Sequence, residues 1–233
     1  MKHILILICG ALLFSACNSQ TEQKPAVLSD FADSASYAIG TTIGLNLVAD
    51  FEAQGVDSSF NRELVVAGLS EAITKGETQL TKEQAQEQVG KFFDQLNEQR
   101  ANKNLVVGQT FLNDNKGKAG VVTTESGLQY IVLKEGEGNS PSLADQVVVH
   151  YTGKLLNGEV FDSSIERNEP VTFYVRSVIP GWTEALQLMK PGAEYKLFIP
   201  SNLGYGAQGG PRGSGIGPNE VLIFDVKLID ITK

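Results

Sequence analysis

Six aromatic residues carry the strongest chemical signal in this sequence: Tyr151, Phe161, Phe173, Trp182, Tyr205 and Phe224 lie on strand-like segments or just beyond their ends. Rings on the inner faces of one sheet would converge beside Trp182, the only tryptophan, which opens a short helical segment. Tryptophan and phenylalanine are mostly core in any protein, and several of these rings are core on that ground alone. Packing does not account for the loop "SNLGYGAQGGPRGSGIGP" (201–218), which holds seven glycines and sets Tyr205 between Gly204 and Gly206. Long irregular loops in compact domains are usually either functional or disordered. Polar groups near the rings are few: Asp162 in "FDSS", which also suits an Asx-turn, Arg167, and the tyrosine phenols. His150 alternates away from the rings and His3 lies near the N-terminus, so a zinc site or a catalytic triad lacks its histidines. What remains is a convergence of rings that could floor and wall a binding hollow.

The elements that must position these rings follow from periodicity. After Gly120 the apolar period is two, with strands expected at 127–133, 145–156, 171–175, 194–200 and 221–231. Val147, Val149 and Tyr151 share one face, as do Val171, Phe173 and Val175, and Leu222, Phe224, Val226 and Leu228. Trp182, Ala185, Leu186 and Met189 fall at i, i+3, i+4 and i+7 and form one face of a helix that follows Pro180-Gly181. One amphipathic helix across a curved antiparallel sheet is the economical architecture.

From about Phe31 to Leu112 the period is instead helical. Ile39, Ile43 and Leu47 lead the first stripe, and Leu64, Leu69 and Ile73 belong to the second. Ala85, Val89, Phe92 and Phe93 belong to the third. Gly55 suits a C-cap and Asp57 to Ser59 an N-cap; Thr81 and Gln84 have capping-box spacing. Between Asn97 and Asn104 the stripe vanishes in "NEQRANKN", which predicts a solvent-bridging helix reaching to "LVVGQTFLNDNKGK". Three short helices offer little core of their own, so a second copy covering their stripes, a homodimer, is expected.

Composition and termini bound the setting. A hydrophobic share of 42% with 20% charged residues marks a globular chain. A formal charge of -8 without any Lys/Arg cluster excludes nucleic acid as the natural partner. "MKHILILICGALLFSAC" has a basic start, an apolar run too short to span a bilayer, and small residues before Cys17. "LFSAC" resembles the bacterial lipobox, with Phe14 where leucine is usual. Residues 1–16 are then a signal peptide, Cys17 carries lipid, and 17–30 form a polar tether. Simple secretory cleavage is the other reading, although Phe14 also spoils its A-x-A pattern. The only other cysteine, Cys9, leaves with the leader, so the exported chain has no disulfide.

Four blocks in order, "VHYTGKLLNGEVFDSS", "VIPGWTEALQLM", "IPSNLGYGAQG" and "IGPNEVLIFDVKLI", resemble the FKBP-type peptidyl-prolyl cis-trans isomerases over roughly 121–233. "SYAIGTTIGLNL" and "GVVTTESGLQYIVL" are similar to the macrophage infectivity potentiator (Mip) subgroup, whose members dimerise through N-terminal helices. The resemblance implies an α+β fold: a helical dimerisation domain with connecting helix (31–112), then an FKBP-like sheet wrapped on one short helix (121–233). It implies an isomerase of X-Pro bonds without cofactor or metal, acting on proline-containing unfolded or partly folded polypeptides and open to macrolide inhibitors of the FKBP class. The expected setting is the bacterial cell envelope, with a lipid anchor as the only hold on the membrane. By position, Trp182 would underlie the proline ring, with Tyr151, Phe161, Val178, Ile179 and Phe224 as walls. The Tyr205 hydroxyl and the Ile179 N–H would hold substrate carbonyls. Asp162 would face the reacting amide, Arg167 would orient Asp162, and Ile216 would cover the pocket. Val171 stands where many members carry a further aromatic wall. A non-catalytic envelope chaperone using paired domains as a clamp is the other function to weigh.

Overall fold

The computed structural model describes residues 25–53, 56 and 60–232. The expected leader, Cys17, most of the tether, and the cap signals at Gly55 and Asp57 to Ser59 lie outside the described residues. The chain forms two compact units, one running through Asn61 and the other from Arg62 onward.

The first unit is built on helix α1 (Phe31–Ala53). Asp30 caps it by accepting the Asp33 N–H at 2.8 Å. Phe51 stacks on Phe60 at 4.2 Å between centroids, and the Val56 N–H returns to the Phe51 carbonyl at 2.9 Å. The expected stripe is solvated within a single chain: Ile39 is 63% and Ile43 42% exposed.

The second unit opens with α2 (Arg62–Thr74), which buries no residue, and α3 (Lys82–Asn115). Thr81 and Gln84 form the expected capping box, each side chain bonding the other's backbone N–H. The polar run 97–104 is continuous helix, as predicted, but Ala101 and Asn104 in its last turn are partly buried while Asn102 and Lys103 stay exposed. Beyond it α3 docks on the sheet. Asn115 donates to Gln129 Oε1 at 2.9 Å, Gln129 donates to the Leu112 carbonyl at 2.8 Å, and Phe111 meets Phe198. Both amide side chains are buried with these partners, which removes the cost of taking them out of water.

Seven strands form one antiparallel sheet: β1 (Val122–Thr123), β2 (Gln129–Lys134), β3 (Gln146–Lys154), β4 (Val160–Ser163), β5 (Val171–Tyr174), β6 (Glu194–Ile199) and β7 (Leu222–Thr232). Their order is β1-β2-β6-β7-β3-β4, with β5 also paired to β3. The period-two reading locates β2, β3, β5, β6 and β7 and misses β1 and β4, which are too short to show alternation. Along β3 burial alternates residue by residue, with Val147, Val149 and Tyr151 inward. Leu222, Phe224, Val226 and Leu228 do the same on β7. Helix α4 (Pro180–Leu188) lies on this inner face, with Pro180 in its first turn, where no helical N–H is lost. Trp182, Ala185, Leu186 and Met189 are each no more than 4% exposed, as their spacing requires. The core is the space between α4 and the concave sheet.

Candidate active site

The register of β3 explains how the rings meet. Tyr151 lies opposite Val226 and Gly153 opposite Phe224 on β7, while Gly153 also faces Asp162 on β4. Gly153 is required here because a Cβ would stand 2.6 Å from two Phe161 ring atoms and 2.7 Å from the Phe224 ring. Without it, Phe161 closes edge-on to Phe224 at 5.4 Å and 86°. Trp182 is edge-on to Phe224 at 5.2 Å, to Tyr151 at 5.3 Å and to Phe173 at 6.0 Å. Edge-to-face geometry aligns ring quadrupoles, at about 0.5–1.5 kcal/mol per pair beyond burial.

These rings bound a cavity of about 660 Å³. Tyr151, Phe161, Asp162, Val178, Ile179, Trp182, Tyr205, Ile216 and Phe224 all line it, so the expected set converges apart from one member. Trp182 is only 4% exposed yet lines the cavity, which makes it core and floor together. The exception is Arg167, which stands behind Asp162. Phe173, Ser177, Pro211 and Ser214 complete the lining. Phe173 was visible among the aromatic residues, but the other three carried no sequence signal beyond their place in a turn and a glycine-rich loop. Val171 packs against the core and is not among the lining residues.

Polar groups are concentrated at one wall. The Tyr151 hydroxyl donates to Asp162 Oδ2, and Arg167 donates both to Asp162 Oδ1 and, at 3.3 Å, to the Tyr151 oxygen. Burial acts to raise the Asp162 pKa, but the hydrogen bonds from Tyr151 and Arg167 outweigh it and hold the carboxyl below its ordinary value. Asp162 reciprocally raises the pKa of Arg167. The Tyr151 phenol is pushed up by burial and then by Asp162. Tyr205 is likewise raised, by burial first and by the Asp162 charge second. Its hydroxyl has no hydrogen-bond partner among the described residues, and neither has the N–H of Ile179, the residue that precedes α4. Two donors therefore border an apolar cavity with their bonds unspent. Among the described residues, no group of three or more His, Cys, Asp and Glu could hold a metal ion.

Family models match two stretches of the chain. Residues 137–229 match the FKBP-type peptidyl-prolyl cis-trans isomerase family, and 32–132 match the domain amino-terminal to it. The outer membrane protein MIP of Legionella longbeachae is 41% identical over 100% of this chain and 98% of its own. This chain belongs to the FKBP-type peptidyl-prolyl cis-trans isomerases. The peptidyl-prolyl cis-trans isomerase Mip of Coxiella burnetii is 40% identical over the full length of both chains. The crystal structure of FkpA from Escherichia coli matches with a TM-score of 0.67 at 32% identity, covering 88% of this chain and 99% of that one. The helical-then-sheet order expected from periodicity is thus the FKBP order, and the activity is proline isomerisation.

Proposed function

We propose that the cavity over Trp182 is where this isomerase turns X-Pro bonds, by drying the amide rather than by attacking it. An amide resists rotation by about 18–20 kcal/mol, so an uncatalysed X-Pro bond takes tens to hundreds of seconds to flip. As the C–N bond twists it loses double-bond character, and charge separation across the amide falls. Water favours the planar, more polar state. An apolar cavity withdraws that preference, and each 1.4 kcal/mol off the barrier is worth about tenfold in rate.

In this reading the proline ring lies on Trp182 between Tyr151, Phe161, Val178, Ile179 and Phe224, with Ile216 over the top. Tyr205 O–H and Ile179 N–H take substrate carbonyls, and these unspent donors beside the cavity are the observation that carries the proposal. Asp162, held ionised by Tyr151 and Arg167, faces the reacting amide. A protease-free assay on a proline tetrapeptide tests it. Tyr205→Phe loses one hydrogen bond and is expected to lower kcat/KM about two- to tenfold. Asp162→Ala also strands Tyr151 and Arg167 and is expected to cost roughly tenfold or more. Wild-type rates in both variants would move the chemistry elsewhere.

The setting follows from the rest of the chain. We place residues 31–112 as the dimerisation domain with its connecting helix and 121–233 as the isomerase domain. Solvated apolar side chains support pairing of two copies: Leu64 is 69%, Ile73 70% and Val89 55% exposed. An anchor on Cys17 would hold the protein at the bacterial envelope, where exported proline-containing polypeptides fold; macrolides of the FKBP class would compete for the cavity. No described helix is long and apolar enough to cross a membrane. The same exposed side chains are what a holding chaperone would use, so a clamp function is the second reading.

A further inference from the structure

We propose that Asn104, on α3, is a positioning residue for the loop that carries Tyr205 and Ile216, so that the connecting helix forms part of the substrate site's support. Asn104 Nδ2 donates to the Pro218 carbonyl and to Glu220 Oε1, both at 2.9 Å. The bond is returned: Asn219 Nδ2 donates to the Ala101 carbonyl of the helix at 3.2 Å. One turn further along, Gly108 is buried against the end of the same loop, where a Cβ would come within 2.7 Å of Val221 Cγ2. Helix and loop are therefore tied by polar bonds in both directions and by close packing.

From this clamp the cavity is one bond away. The Asn219 N–H donates to the Gly206 carbonyl at 2.8 Å, and Gly206 adjoins Tyr205. The Gly210 N–H donates to the Ile216 carbonyl at 2.9 Å, and the Ile216 side chain, 8% exposed, lines the cavity. Asn219 sits at φ 55°, a conformation uncommon outside glycine that its two hydrogen bonds hold in place. A loop with seven glycines in 201–218 has much conformational freedom to lose, so it needs such ties to keep Tyr205 and Ile216 in one arrangement. Polar "NEQRANKN" thereby acquires a use: Ala101 and Asn104 belong to it.

If the competent loop arrangement becomes only fractionally populated, apparent affinity falls by that fraction while the bound state still reacts at its own rate. Asn104→Ala and Asn219→Gly, the latter keeping the backbone at positive φ, are each expected to raise KM about fivefold and leave kcat near wild type. Titrating a proline tetrapeptide against the fluorescence of Trp182, the only tryptophan, should show the same rise in Kd without turnover. Lys103→Ala, exposed on the same helix, is the control expected to change nothing. Unchanged KM and Kd in both variants would overturn the proposal. So would a fall in kcat with KM unchanged, which is the signature of fewer folded molecules. The inference rests on the cavity being the isomerase site; wild-type kinetics in both Tyr205→Phe and Asp162→Ala would sink that reading separately.

Discussion

Asp162, Tyr151 and Arg167 form a knot whose members are each a partner of the other two, and its titration has a predictable sign. Asp162 has a folded pKa below its ordinary value, so its contribution is complete above the ordinary carboxylate range and is lost as pH falls through the depressed value. Tyr151 and Tyr205 run the other way: their raised pKa values leave contributions intact below the ordinary phenol pKa, lost as pH rises past the folded value. The pH profile of kcat/KM should be flat from about pH 5 to pH 9, and Asp162→Asn should abolish the acid limb. A bell centred near pH 7 would instead require a titrating base that this cavity does not contain. At Gly153, the would-be Cβ lies inside contact distance of two rings, so Gly153→Ala is expected to cost about 1–3 kcal/mol in chemical denaturation and to disrupt the cavity wall. Most of this chemistry was legible in residue type: a ring, a phenol or an aspartate announces itself. Ser177, Pro211 and Ser214 did not, because they reach the cavity through loop geometry, not side-chain character.

At the level of elements, legibility tracked length and regularity. The α3 N-terminus followed from Thr81 and Gln84, since a capping box needs only local spacing, and Thr81→Ala should lower thermal stability by about 1 kcal/mol of helix capping. The α4 face followed from four apolar residues at helical spacing. Strand β4 was invisible to periodicity, although it carries both Phe161 and Asp162. Four residues, half of them polar, show no alternation; β4 exists because β3 offers it a ladder at Thr152 to Lys154. The docking of α3 was equally hidden, because Asn115 and Gln129 look like surface residues until they are found bonded to each other and buried.

For the whole molecule, apolar side chains on α1, α2 and the first turns of α3 are exposed within one chain, and the proposal that another copy or a client covers them is testable. Light scattering should give the mass of two chains, and Ile43→Glu should give one while peptide isomerase activity persists. A single-chain mass for the wild type would remove the dimer and strengthen the clamp reading. The anchor is testable at the same scale: Cys17→Ser should release the protein from membranes on cell fractionation, and the wild-type intact mass should exceed the chain from Cys17 by a lipid. Neither outcome is expected to alter turnover of a short peptide, because the cavity is enclosed by residues 151–224 alone.

Sequence alone determined the order of helical and sheet halves, the inner faces of β3 and β7, and the family, because alternation, helical spacing and ordered motif blocks are local properties. Residue type pointed to the rings and Asp162, the resemblance added Val178, Ile179 and Ile216, and neither pointed to Ser177, Pro211 or Ser214. Only the tertiary structure decided that Trp182 is buried yet still borders open space, that Arg167 stands behind Asp162 and bonds it, and that α3 is tied to the glycine-rich loop. Those are facts about groups up to more than a hundred positions apart, set by strand register and helix docking, and no local pattern encodes them.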